Sequence, residues 1–269
     1  EAWRSSDECS RHVIARTPPQ HLRQTACISV AWITRRNSIC RLLACATLLI
    51  FEPAMPRTRI KICGIGSVTD ALAASSAGAD AIGLIFYAPS PRSVTIDQAF
   101  AIASALPPFV STVALFVNAR ADEVDDAIVR LRPSILQFHG DEDPSYCAQF
   151  GLPYLKALRV GDGTTADDLL EWARRYKGAK ALLLDALSHG VYGGSGECFD
   201  WRVIPDQLRR QIVLSGGLHA ANVADAIRMI RPLAVDVSSG VEMHNGPKGN
   251  KDHARIWQFI EEVRNADAA

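Results

Sequence analysis

No run of apolar residues in this chain approaches the roughly 20 needed to span a bilayer. The longest candidate, residues 42–51, is about half that. Nor is there an excess of charge: 29 Lys and Arg balance 29 Asp and Glu, with no long block of either sign. The electrostatic footprint of a nucleic-acid-binding protein is therefore missing. Seven cysteines are present, but the three after position 55 (Cys63, Cys147 and Cys198) show no CxxC spacing, which fits a reduced, cytoplasmic setting better than a disulfide or metal framework. His189, His219, His244 and His253 show no HxxxH spacing, so no metal is assigned. A glycine-rich dinucleotide fingerprint is incomplete: Cys63-Gly64-Ile65-Gly66 lacks the last glycine of GxGxxG. What remains is a chain with 48% hydrophobic residues, an ordinary globular content that excludes wholesale disorder.

Residues 1–54 differ from the rest. They hold no lysine and no methionine, yet seven arginines and four of the seven cysteines. Arg35, Arg36 and Arg41 precede the apolar run 42–51, loosely like a targeting signal. A regulatory extension is a second reading. The preferred third reading is upstream sequence, with the natural start at Met55. Lacking a repeating apolar face, the segment is expected to be disordered.

From residue 59 onward, short β-branched runs alternate with amphipathic stretches. Strands are predicted at 59–63, 81–86, 110–117, 134–138, 154–158, 181–185, 211–214 and 233–237. Helical periodicity is clearest at 121–131, 166–176 and 220–230, with a closing helix at 252–263. Strand–helix alternation implies parallel pairing through right-handed crossovers. Eight such units in residues 55–269 predict a single-domain α/β fold, a (β/α)8 TIM barrel, rather than a doubly wound sheet.

In such a barrel the site forms at the C-terminal ends of the strands, and alternation identifies the inward side chains. Lys61 and Cys63 share a face of the first strand, while Ile60 and Ile62 face the helices. Asp236 shares the inward parity of the eighth strand, and closure makes strands one and eight neighbours. Either charge alone would be expensive to bury, so a Lys61–Asp236 ion pair beneath the site is predicted. His139 shares the inward parity of Gln137, as a cleft residue or as a hydrogen-bonded structural histidine. Taken singly, Asp185 reads as a cap, Cys63 as a small buried hydrophobe and Arg92 as a solvated loop arginine. Gly216-Gly217 and Ser239-Gly240 follow strands seven and eight, the usual anion-binding corner of a barrel, where small residues let backbone N–H groups approach a phosphate.

A series of motifs adds to this. Lys61-Ile62-Cys63-Gly64-Ile65 is followed by Phe86-Tyr87-Ala88-Pro89-Ser90-Pro91-Arg92, Leu115-Phe116-Val117-Asn118 and Gln137-Phe138-His139-Gly140-Asp141-Glu142. Then come Leu184-Asp185-Ala186, Gly193-Gly194-Ser195-Gly196, Ser215-Gly216-Gly217-Leu218 and Asp236-Val237-Ser238-Ser239-Gly240-Val241-Glu242. In this order the motifs resemble those of the phosphoribosylanthranilate isomerases, from residue 59 to the last helix. Two stretches depart from the pattern: Gly66-Ser67 stands where the family has Thr, and residues 243–250 lengthen the link to Lys251-Asp252.

The resemblance implies a cofactor-free Amadori rearrangement of N-(5-phosphoribosyl)anthranilate in tryptophan biosynthesis, by a monomer or homodimer acting on a small sugar phosphate. It implies Cys63 as general base and Asp185 as general acid. A carboxyl that donates near neutrality must hold its proton there, which a partly desolvated barrel mouth favours. Free thiols are mostly protonated at neutrality, and Arg92 or Lys61 nearby would increase the thiolate fraction. Arg92 is implied as the partner of the anthranilate carboxylate, gripping it through two parallel hydrogen bonds. The Gly190–Gly196 stretch is read as a cover for the site. A non-catalytic phosphate-binding barrel would be free to lose its acid or base, whereas this chain retains both.

Overall fold

A computed structural model describes residues 57–187 and 198–269, all within one compact unit, Ala54–Ala269. The expectations for residues 1–54 and for the cover at 190–196 lie outside the described residues. Eight parallel strands close into a barrel in sequence order: β1 Arg59–Cys63, β2 Ala81–Phe86, β3 Ser111–Phe116, β4 Ile135–Phe138, β5 Tyr154–Val160, β6 Ala181–Ala186, β7 Ile212–Leu214 and β8 Ala234–Val237. Around them run α1 Val68–Ala77, α2 Ile96–Ala105, α3 Ala121–Leu131, α4 Pro144–Ala148, α5 Ala166–Arg175, α6 Asp206–Arg209, α7 Val223–Ile230 and α8 His253–Ala268. Among the described residues no helix is long and apolar enough to cross a membrane.

Local chemistry sets the helix starts. Ser67 accepts a hydrogen bond from the Asp70 amide and so caps α1; the departure at Gly66-Ser67 thus supplies an N-cap. Thr95 with Gln98 and Thr165 with Asp168 form capping boxes on α2 and α5. Asp252 caps α8. The helices α4 and α6 span only 5 and 4 residues, too short to leave a helical period in the sequence.

Strand alternation divides the core. Ile60, Ile62, Ile82, Leu84, Phe116, Leu136 and Phe138 face the helices in one continuous cluster. Register places Phe86 beside Phe116 and Phe116 beside Phe138, with ring centroids 5.4 and 6.4 Å apart. Each such pair contributes about 0.5–1.5 kcal/mol beyond its buried area. Inside the barrel, Leu155, Ala157, Ala181, Leu183 and Val213 form a separate apolar plug. A buried Lys156–Glu142 pair at 2.8 Å ties β5 to the turn after β4. There Lys156 also donates to the Gly140 carbonyl at 2.6 Å, and Glu142 accepts from the amides of Asn118 and Gly140 at 2.8 and 2.9 Å. Its polar atoms are answered, as burial demands.

Candidate active site

The C-terminal ends of the strands surround a cleft, the end of a barrel at which active sites are assembled. Cys63 closes β1, Arg92 follows β2, His139 follows β4 and Asp185 is the penultimate residue of β6. Gly216, Gly217, Asp236 and Ser239 complete the polar rim from β7 and β8. Tyr87, Ile85, Leu115, Val117 and Leu218 add apolar wall. Lys61 lies beneath the cleft. Gly240 lies behind the lining, where a Cβ would collide with the Leu218 carbonyl; its smallness lets the two phosphate-side loops pack together.

The ion pair expected from parity is present. Lys61 and Asp236 are register partners, with Nζ 2.9 Å from Oδ1 and both side chains 5% exposed. Burial opposes the charge on Lys61, but Asp236 and Cys63 outweigh it, and the ammonium is pushed up to about 12. Cys63 needs room above this pair, and Gly83 of β2 provides it. A Cβ at Gly83 would stand 2.7 Å from Sγ and 3.1 Å from Lys61 Nζ. A glycine inside a strand is the sequence signal for such close approach, yet it went unread. Burial raises the Cys63 thiol above its ordinary value; the charge of Lys61 pulls it down and that of Asp236 adds to the rise. Lys61 therefore assists the thiolate, though less than burial opposes it.

Arg92 is not turned to Cys63. Its Nε and Nη2 donate to the two Glu242 oxygens at 2.6 and 3.2 Å. Burial works against the Glu242 charge, but Arg92 and Lys251 outweigh it and hold its carboxyl below the ordinary value. Lys251 Nζ donates to Glu242 Oε1 at 3.1 Å and to the Ser238 carbonyl at 3.0 Å, and burial pulls its own ammonium down. Ser238 Oγ in turn donates to the Cys63 carbonyl at 3.0 Å. Glu242 and Lys251 are functional neighbours that sequence reasoning missed, since the lengthened link separates them. An antiparallel bridge between them and a Met243 N–H bond to the Asn250 carbonyl at 3.0 Å close the base of that link, so its extra residues loop outward.

Asp185 accepts from the Ala186 amide through Oδ1 at 3.0 Å and lies 3.1 Å from His139 Nε2 through Oδ2. His139 is thus both hydrogen-bonded and a cleft residue. After β7, Gly216 and Gly217 take φ of 80° and 62°, the left-handed region that glycine enters freely. A Cβ at Gly216 would collide with the Ala186 amide. Cys147 is buried packing, while Cys198 is exposed.

The family model for N-(5'phosphoribosyl)anthranilate (PRA) isomerase matches residues 60–262. An N-(5'-phosphoribosyl)anthranilate isomerase of Pseudomonas fluorescens is 52% identical over 215 residues, 80% of this chain and 100% of the relative. The crystal structure of phosphoribosyl anthranilate isomerase from Thermotoga maritima superposes with a TM-score of 0.68 at 38% identity, covering 77% of this chain and 99% of that one. One in complex with reduced 1-(o-carboxyphenylamino)-1-deoxyribulose 5-phosphate gives 0.66 at 37%, with the same coverage. The chain belongs to the N-(5'-phosphoribosyl)anthranilate isomerase family and is an aldose–ketose isomerase of tryptophan biosynthesis.

Proposed function

We propose that Asp185 and Cys63 divide the proton transfers of this isomerisation between them. Asp185 gives a proton to the ribose ring oxygen, the C1–O bond opens, and nitrogen lone-pair donation leaves a protonated imine. The Cys63 thiolate then takes the proton from C2. The electron pair moves to C1=C2 and the nitrogen is neutralised, giving an enolamine. Protonation at C1 and loss of the C2 hydroxyl proton complete the ketone. Nothing enters or leaves overall, so general acid–base groups suffice.

The observation that carries this reading is the placement of an acid and a thiol on β6 and β1, on the rim of one cleft. The environment of the thiol suits a step gated by substrate. Burial keeps free Cys63 above its ordinary value, and the imine cation brings the positive charge that favours its thiolate. In this reading Arg92 faces the anthranilate carboxylate. Its Nε–Nη2 edge is held by Glu242, so the incoming carboxylate takes the other edge of the guanidinium. The phosphate takes the backbone N–H groups of Gly216, Gly217, Ser239 and Gly240, and Tyr87, Leu115 and Val117 flank the aromatic ring. Residues 55–269 form the catalytic unit, cytoplasmic and monomeric or homodimeric.

The test is the loss of substrate fluorescence with Cys63→Ala and Asp185→Asn. Each should lower kcat by about 10²–10⁴-fold with substrate still bound. Either variant within a factor of about three of wild type removes that residue from the mechanism.

A further inference from the structure

Asp185 does not meet His139 alone. Gln137, two residues earlier on β4, is fully buried, and its Nε2 lies 3.1 Å from His139 Nδ1. Three side chains thus form a row from the barrel interior to the cleft: Gln137, His139, Asp185. The outer end is anchored, because Asp185 Oδ1 accepts from the Ala186 amide. At the inner end, Gln137 Oε1 is buried without a hydrogen-bond partner. Burying a polar atom unanswered is unfavourable, and an amide can exchange its oxygen and nitrogen by a half-turn that moves no other atom.

The two orientations have different consequences for the proton at the other end. With the NH2 group facing His139, Nδ1 must accept. The neutral ring then carries its proton on Nε2 and donates it to Asp185, which must be a carboxylate. With the carbonyl facing His139, Nδ1–H donates inward. Nε2 and Oδ2 then share one further proton, on either atom, and the pair as a whole is neutral. The first arrangement buries a net negative charge and has no proton to give. The second holds one transferable proton beside the cleft.

Charge decides between them, since one end of the amide goes unanswered in both. Among the described residues no cation is hydrogen-bonded to Asp185 or His139. Arg159 is beside Asp185 in register but pairs with Asp141 at 2.7 Å. Lys61 is held by Asp236, Lys156 by Glu142 on the helix side of β5, and Arg92 by Glu242. Neighbouring β3 and the turn after β7 bring Leu115, Val117, Ser215, Gly216, Gly217 and Leu218 to the cleft, and none of them is charged. Across it stands Cys63, which becomes an anion when it acts. A second uncompensated anion in the same buried site is the costlier state.

We propose that Gln137 is a positioning residue that presents its carbonyl to His139, fixing the Nδ1–H form of the ring and so keeping one transferable proton on the His139–Asp185 pair. This rests on Asp185 being the acid and explains how a buried carboxyl retains the proton that role requires. Gln137 itself is fully buried and does not line the cleft.

The test is 15N NMR of the imidazole nitrogens in the full chain, with the His139 resonances identified by their loss in His139→Gln. Protonated and bare ring nitrogens differ widely in shift. The expected result is a protonated Nδ1 near neutral pH. A bare Nδ1 with a protonated Nε2 would overturn the proposal. One variant carries it into turnover. Gln137→Met removes the acceptor and should lower kcat by about 100-fold with KM little changed. A folded Gln137→Met with wild-type kcat would overturn it as well. Asp185→Asn separates the two claims: if it remains active the acid assignment fails, while the nitrogen shifts still decide the orientation of Gln137.

Discussion

Replacing Lys61 by Met cuts a buried ion pair at one end while leaving the side chain's length. Asp236 would then keep its charge at 5% exposure, with the ammonium 2.9 Å away removed. Breaking a buried pair in this manner costs about 3–5 kcal/mol, because the remaining charge is uncompensated. In a barrel of this size each kcal/mol moves the unfolding midpoint by about 2–4 °C, so Tm should fall by roughly 6–20 °C. Adding Asp236→Leu removes the stranded charge and should restore most of the loss, since apolar replacement of a whole pair is close to neutral. Activity should not return with stability. Lys61 is the cation that favours the Cys63 thiolate, and kcat/KM of the double variant should remain depressed and be recovered only at higher pH. Scanning calorimetry and pH-dependent kinetics on Lys61→Met, Asp236→Leu and the double variant measure both halves. A single-variant loss below about 1 kcal/mol, or a double variant that loses the sum of the singles, would refute the reasoning.

Further predictions follow from the same geometry. Glu242→Gln keeps the shape but removes the charge that Arg92 and Lys251 share; KM should rise about 10–100-fold, the worth of a charge-assisted bond, with kcat less affected, and an unchanged KM would show that Arg92 needs no such support. Under iodoacetamide, exposed Cys198 should react first among the described cysteines, and buried Cys147 only on unfolding. Cys63 should react slowly, as burial raises its thiol, and a bound substrate analogue should protect it; equal labelling with and without analogue would count against its place in the site. Stability should fall above about pH 9, where the unfolded thiol begins to ionise. Lys61, at about 12 folded against 10.5 unfolded, contributes about 2 kcal/mol that is full below pH 10.5 and lost as pH rises through 12. Cys147, raised from 9.0 to about 12 by burial, adds a loss that begins near pH 9. Urea midpoints that stay flat up to about pH 12 in wild type would contradict both.

The strands were legible because their β-branched runs are bounded by turns, and parity then placed Lys61, Cys63 and Asp236 inward without further information. Boundaries moved outward where hydrogen bonding outlasts apolar pattern, as β5 runs on to Val160 and α8 to Ala268, and inward at α7, which begins only at Val223. What stayed hidden was contact between distant side chains of unlike role. Arg92 reads as a ligand group until Glu242, 150 residues away, takes one edge of it. Gly83 is silent until Cys63 is seen to occupy its missing Cβ position. Lys251 looks like a loop lysine, yet the outward looping of residues 243–250 carries it into a buried network. Periodicity records which face a residue is on, but not which partner meets it there.

The most direct test of the central claim is the crystal structure of this chain with a reduced, unreactive product analogue. The account predicts the phosphate on the N–H groups after β7 and β8, the anthranilate carboxylate on Arg92, Cys63 Sγ in reach of C1 and C2, and Asp185 beside the oxygen that was in the ring. An analogue bound with its phosphate at Arg92, or with Sγ out of reach of C2, would contradict the assignment of base and acid.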